Sequence, residues 1–94
     1  MRYPALFIPA IEGGYTVVFP DFPEIVTEGN DFSEALKMSE EILGEMISEY
    51  TRQGRKLPER TSFHNAALLA EQKMQGKGVD TRGELIIQLV SGGE

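Results

Sequence analysis

GGYTVVFPDFPEIVTEG, residues 13–29, is the stretch from which the fold can be read. Tyr15, Val17 and Phe19 alternate with Thr16 and Val18, so a strand here sets three large side chains on one face. That face needs cover. Pro20 and Pro23 bracket Asp21 and Phe22, and neither proline has an N–H to donate. A regular ladder is therefore not expected through this bend, and strand character returns at Ile25, Val26 and Thr27. Gly29 releases the chain into Asn30-Asp31-Phe32-Ser33-Glu34, a helix start in which Asp31 can accept from backbone N–H groups and Glu34 can bond back.

Upstream, Tyr3 to Ile11 has strand-forming residues, with Tyr3, Ala5 and Phe7 on one face and Leu6 and Ile8 on the other. Pro4 and Pro9 suggest an edge strand or one bounded by them. Glu12-Gly13-Gly14 supplies positive-φ residues for a tight reversal, making the first two strands an antiparallel hairpin. Downstream, Phe32, Ala35, Leu36, Ile42, Leu43, Met46, Ile47 and Tyr50 form the apolar stripe of a helix from about Asp31 to Arg52, with Gly54 as its C′ residue. Phe63 to Gln75 reads as a short second helix without a sharp stripe, stopped by Gly76-Lys77-Gly78. Glu84 to Val90 reads as a last strand. The expected fold is α+β: a three-stranded antiparallel meander covered by one amphipathic helix, then a short second helix and a final strand.

The 94 residues fit one domain, 1–94, with no cysteine for disulfides or thiolate metal sites. The N-terminal apolar stretch is broken by Pro4 and Pro9 and is too short to span a membrane, so a cytoplasmic protein is expected. Fifteen acidic against nine basic side chains give a net charge of -6, which disfavours nucleic acid and suits a cationic partner.

Catalytic signals are sparse. His64, the single histidine, has no neighbouring cysteine and reads as a surface or capping residue. Asp21, Glu24, Glu28 and Asp31 could between them hold magnesium, but acidic residues at turns and caps have simpler roles, and no catalytic residue, cofactor or metal is expected. Arg52, Arg55, Lys56 and Arg60 concentrate positive charge at the end of the long helix, where they complement its dipole. Glu41, Glu45 and Glu49 stack at i,i+4 spacing on that helix's outer face, with Lys37 and Arg52 as partial compensation. Leu85, Ile86, Ile87, Leu89 and Val90 make a strand apolar on both faces, which points to cover or to pairing in a homo-oligomer.

Tyr3-Pro4-Ala5, Gly13-Gly14-Tyr15-Thr16-Val17, Phe19-Pro20-Asp21-Phe22-Pro23, Val26-Thr27-Glu28-Gly29 and Glu34-Ala35-Leu36 together resemble the HicB-like antitoxin family over about Met1 to Ser62. The resemblance implies a partly degraded ribonuclease H-like fold that neutralises a small basic HicA-type toxin, an mRNA-cleaving ribonuclease, by covering its RNA surface. On this reading the toxin-binding residues are Asp21, Glu24, Glu28, Glu41, Glu45 and Glu49. The alternatives are an orphan interaction module and a residual magnesium-dependent nuclease. Glu24-Ile25 stands where relatives often have glycine and a small residue, and residues 63–82 read as an insertion before the last strand. Many relatives carry a C-terminal DNA-binding domain; none is expected after Val90, so direct DNA binding is not expected.

Overall fold

The computed structural model describes residues 1–92. Its elements are β1 (Arg2–Pro9), β2 (Tyr15–Phe19), β3 (Phe22–Gly29), α1 (Phe32–Arg52), α2 (Phe63–Lys73) and β4 (Ile86–Ser91). The strands form one antiparallel sheet in the order β3-β2-β1-β4. The meander, long helix, short helix and last strand stand as the sequence pattern implies.

β1 occupies an interior position, not an edge, although it contains Pro4 and ends on Pro9. Hydrogen-bond parity explains how. Ala10 donates its N–H to the Gly14 carbonyl on the β2 side, while Pro9 O accepts from Asp80 and Met1 O from Gly92 on the β4 side. Even-numbered residues of β1 therefore address β2 and odd-numbered ones address β4. Pro4 turns its nitrogen toward β2, whose pairing with β1 begins only at Leu6. Pro9 turns its nitrogen toward β4, whose pairing ends at Phe7. Each missing donor falls where no strand lies opposite, so the ladder loses nothing.

The proline bend is a two-residue turn at Pro20-Asp21 followed by a bulge. Phe19 pairs with Phe22 and Val18 with Val26, leaving Pro23, Glu24 and Ile25 without cross-strand partners. β3 thus begins earlier than Ile25, and Pro23 is tolerated because it stands in a bulge on an edge strand.

Two glycines of the quoted stretch are fixed by close approach. A Cβ on Gly14, which has φ +73°, would run into the Gly29 carbonyl, and one on Gly29 would run into the Ala35 backbone. The hairpin mouth and the first turn of α1 are therefore packed backbone to backbone.

Alternation along β1 divides the interior into two clusters on opposite sheet faces. Tyr3, Ala5 and Phe7 join Val17, Phe19, Phe22, Ile25, Val90 and the α1 residues Ala35, Leu43 and Tyr50. Leu6 and Ile8 meet Ala66 and Ala70 of α2, with Val18, Leu69, Leu85 and Ile87 packed around them. The second helix is therefore cover for the other face of the sheet. Its weak stripe has a simple cause: the residues it buries are alanines. At about 1.5 to 3 kcal/mol for each large side chain, the α1 side supplies most of the burial free energy.

Candidate functional site

α1 is built from its ends. Asp31 caps it by accepting from the Glu34 N–H at 2.8 Å, and Glu34 accepts from the Asn30 N–H at 2.6 Å. At the other end Gly54, with φ +69°, donates to the Thr51 carbonyl and Arg55 donates to the Tyr50 carbonyl, closing a Schellman motif. Between these ends Ala35, Ser39, Leu43 and Tyr50 are buried, which turns Glu41 and Glu45 fully outward. Ser39 was not legible as a core residue from its type; its hydroxyl donates to the Leu36 carbonyl and so needs no other partner.

The acidic face of α1 is graded. Glu49 is half-buried, paired with Arg52 and accepting from Gln53 Nε2 at 2.8 Å. Among the described residues Lys37 makes no ion pair, so Glu41 and Glu45 keep their charge uncompensated. A shallow depression lined by Gly44, Glu45, Ser48, Glu49 and Arg52 follows this face, opened by the missing side chain of Gly44.

The acidic residues of the bend are not brought together. Asp21 accepts from the Thr61 N–H at 3.1 Å and the Thr61 hydroxyl at 2.6 Å, which ties the connector between the helices to the β2–β3 turn. Its carboxylate is committed to the fold. Glu24, in the bulge, accepts a long hydrogen bond of 3.4 Å from the Tyr50 hydroxyl, and Glu28 lies far along β3 opposite Thr16. Both are exposed. Among the described residues no three acidic or histidine side chains are grouped to hold a metal ion. His64 is exposed in the first turn of α2, whose cap is Ser62 accepting from the Asn65 N–H.

The connector itself is pinned by aromatics. The Tyr3 hydroxyl donates to the Pro58 carbonyl at 2.7 Å, and Tyr3, Phe22 and Tyr50 pack edge to face in succession. The Arg55 guanidinium lies 4.0 Å from the centre of the Tyr50 ring. All four members of the basic cluster are exposed, but Arg52 and Arg55 are engaged within the chain, while among the described residues Lys56 and Arg60 make no ion pair.

One feature was missed from the sequence. A cleft of about 250 Å³ opens on the α2 side of the sheet, lined by Leu6, Val18, Phe19, Pro20, Pro23, Val26, Leu69 and Lys73. Val26 at its rim is 61% exposed. The available signal was Val26 itself, a β-branched residue between two outward carboxylates, Glu24 and Glu28.

Glu41 and Glu45 on α1, Glu24 and Glu28 on the β3 edge and the apolar cleft beside Val26 are the features open to a partner. Fold and surface define a small α+β domain, whose polar groups are used mainly on its own turns and caps. The chain belongs to the HicB_like antitoxin family of bacterial toxin-antitoxin systems, whose pattern matches residues 2–70. It is 43% identical over 58 residues to Antitoxin HicB 1 of Photorhabdus laumondii and 46% identical over 43 residues to Antitoxin HicB of Escherichia coli K12. These matches take in 62% and 46% of this chain but 37% and 31% of the relatives, so the chain spans well under half of their length. A toxin-antitoxin complex from Streptococcus pneumoniae contains a chain of the same fold, with a TM-score of 0.79 and 27% identity, covering 96% of this chain and 67% of that one. No helix among the described residues is long and apolar enough to cross a membrane.

Proposed function

We propose that this chain is an antitoxin that binds a basic, HicA-type mRNA-cleaving toxin in the cytoplasm and silences it by covering its RNA-contacting surface, with no reaction of its own. The observation that carries the reading is the pair of uncompensated carboxylates Glu41 and Glu45 on the exposed face of α1, on a chain of the HicB-like family. A surface evolved to hold RNA phosphates is cationic, and an acidic face competes for the same charges. Glu24 and Glu28 extend the acidic character to the edge of the sheet. Asp21 is given a structural role in this reading, because it already accepts hydrogen bonds from Thr61.

Affinity needs more than charge, since exposed ion pairs contribute little each. The cleft beside Val26, Pro23 and Leu69 supplies the desolvated centre on which a partner's apolar side chain can settle. The test uses the product of the adjacent gene. Co-purification and arrest of its RNA cleavage at equimolar ratio are expected, and the double variant Glu41→Lys, Glu45→Lys should weaken binding at least about tenfold. Unchanged RNA cleavage in the presence of the folded wild-type chain would overturn the proposal.

A further inference from the structure

The two edges of the sheet are built differently. β3 is guarded: it carries the Pro23–Ile25 bulge and the exposed carboxylates of Glu24 and Glu28, all of which obstruct a further strand. β4, Ile-Ile-Gln-Leu-Val-Ser, has no charge, no proline and no break in its register with β1. Its inward flank is used up. Parity along β1 assigns Ile86, Gln88 and Val90 to hydrogen bonding with Phe7, Ala5 and Tyr3, so the N–H and C=O groups of Ile87, Leu89 and Ser91 face outward. The Leu89 carbonyl has only a long contact from the Gln88 side-chain amide, at 3.4 Å.

We infer that the outward flank of β4 pairs antiparallel with β4 of a second copy of this chain, about a two-fold axis at Gln88, joining two sheets into one. Several observations select a second copy as the occupant. A body of net charge -6 repels its own copy over most of its surface, and the neutral β4 edge is a strip where two copies can approach. The register centred on Gln88 is self-complementary. It sets Ile87 opposite Leu89 of the other copy on the α2 side and Ile86 opposite Val90 on the α1 side, two apolar pairs on either side of a neutral Gln88–Gln88 pair at the axis.

The ends also match. Exposed Glu84 of one copy is carried toward the end where exposed Arg2, paired with Ser91, stands on the other. A basic toxin, by contrast, is drawn to the carboxylates of α1 and β3, and β3 is the opposite edge of the sheet. Ile86 and Val90 already pack against the α1-side core, so their side chains flank the pairing and the contact is made chiefly by backbone.

The absence of cysteine from the sequence makes the test direct. Gln88 of each copy would form a non-hydrogen-bonded pair, with Cα atoms about 4.5 Å apart, within disulfide reach. Under mild oxidation Gln88→Cys should crosslink to a covalent dimer at least about tenfold faster than Val26→Cys on the other edge, and sedimentation of the wild-type chain should show dimers at micromolar concentration. Leu89→Pro removes only an outward N–H and should give a folded monomer by circular dichroism and sedimentation. A wild-type chain that stays monomeric at about 100 µM would overturn the proposal. Equal crosslinking of the two cysteine variants would do the same, whether or not Leu89→Pro folds.

Discussion

Tyr3 joins the start of the chain to the connector between the helices through one hydrogen bond, and packs its ring on Phe22 of β3. It is 3% exposed, and burial, followed by the nearby charge of Asp21, raises its hydroxyl pKa above the ordinary value of 10.0. In the unfolded chain the hydroxyl ionises at its ordinary value, whereas in the folded chain it keeps its proton to higher pH. The folded state therefore holds more protons above pH 10, and stability falls as pH rises from there through the folded pKa. Urea titrations at pH 8 and pH 11 should show that loss, and Tyr3→Phe should flatten it while costing about 1 kcal/mol at pH 8 for the bond to Pro58. A pH dependence unchanged in Tyr3→Phe would place the loss elsewhere. This bond, and the one from Thr61 to Asp21, join residues 55 and 40 positions apart. Nothing local in the sequence marks such a pairing, so the hydrogen bonds that Asp21 accepts from Thr61 could not be read from its position in the bend.

Where contacts repeat along one element, the sequence is far more informative. The stripe of α1, its Asp31 cap and its Gly54 ending all follow from spacing within a single helix, and each is present. Replacing Asp31 by alanine frees the Glu34 N–H and should cost about 0.5 to 2 kcal/mol, seen as a lower urea midpoint at unchanged slope. A lower slope instead would mean that the first turn frays separately from the rest. β1 and α2 were harder to read for opposite reasons. The prolines of β1 suggested an edge strand or one bounded by them, because pattern alone does not say on which flank a missing N–H will fall; Pro9 does end the strand, and Pro4 lies within it. The cover provided by α2 was muted, because Ala66 and Ala70 are fully or nearly buried yet too small to raise a hydrophobic signal.

Taken over the entire surface, charge and apolar area are separated: carboxylates lie on α1 and the β3 edge, an apolar cleft opens beside Val26, and β4 is neutral. The i,i+4 glutamates were legible because they lie on one helix, and the cleft was not, because it is assembled from four elements. If the acidic faces act at a distance and the cleft acts on contact, the two should separate kinetically. Association with the adjacent gene's product should slow on the order of tenfold between low and high salt, because screening shortens the reach of exposed charges to about 10 Å at 0.1 M. Glu41→Lys, Glu45→Lys should lower the association rate and flatten its salt dependence while leaving dissociation nearly unchanged. Val26→Asp, placing a charge at the cleft rim, should do the reverse: faster dissociation with little change in the salt slope. Stopped-flow or surface binding over a salt series distinguishes the two. A glutamate double variant that alters only dissociation would mean that α1 is buried in the contact, and the division of labour between charge and cleft would have to be abandoned.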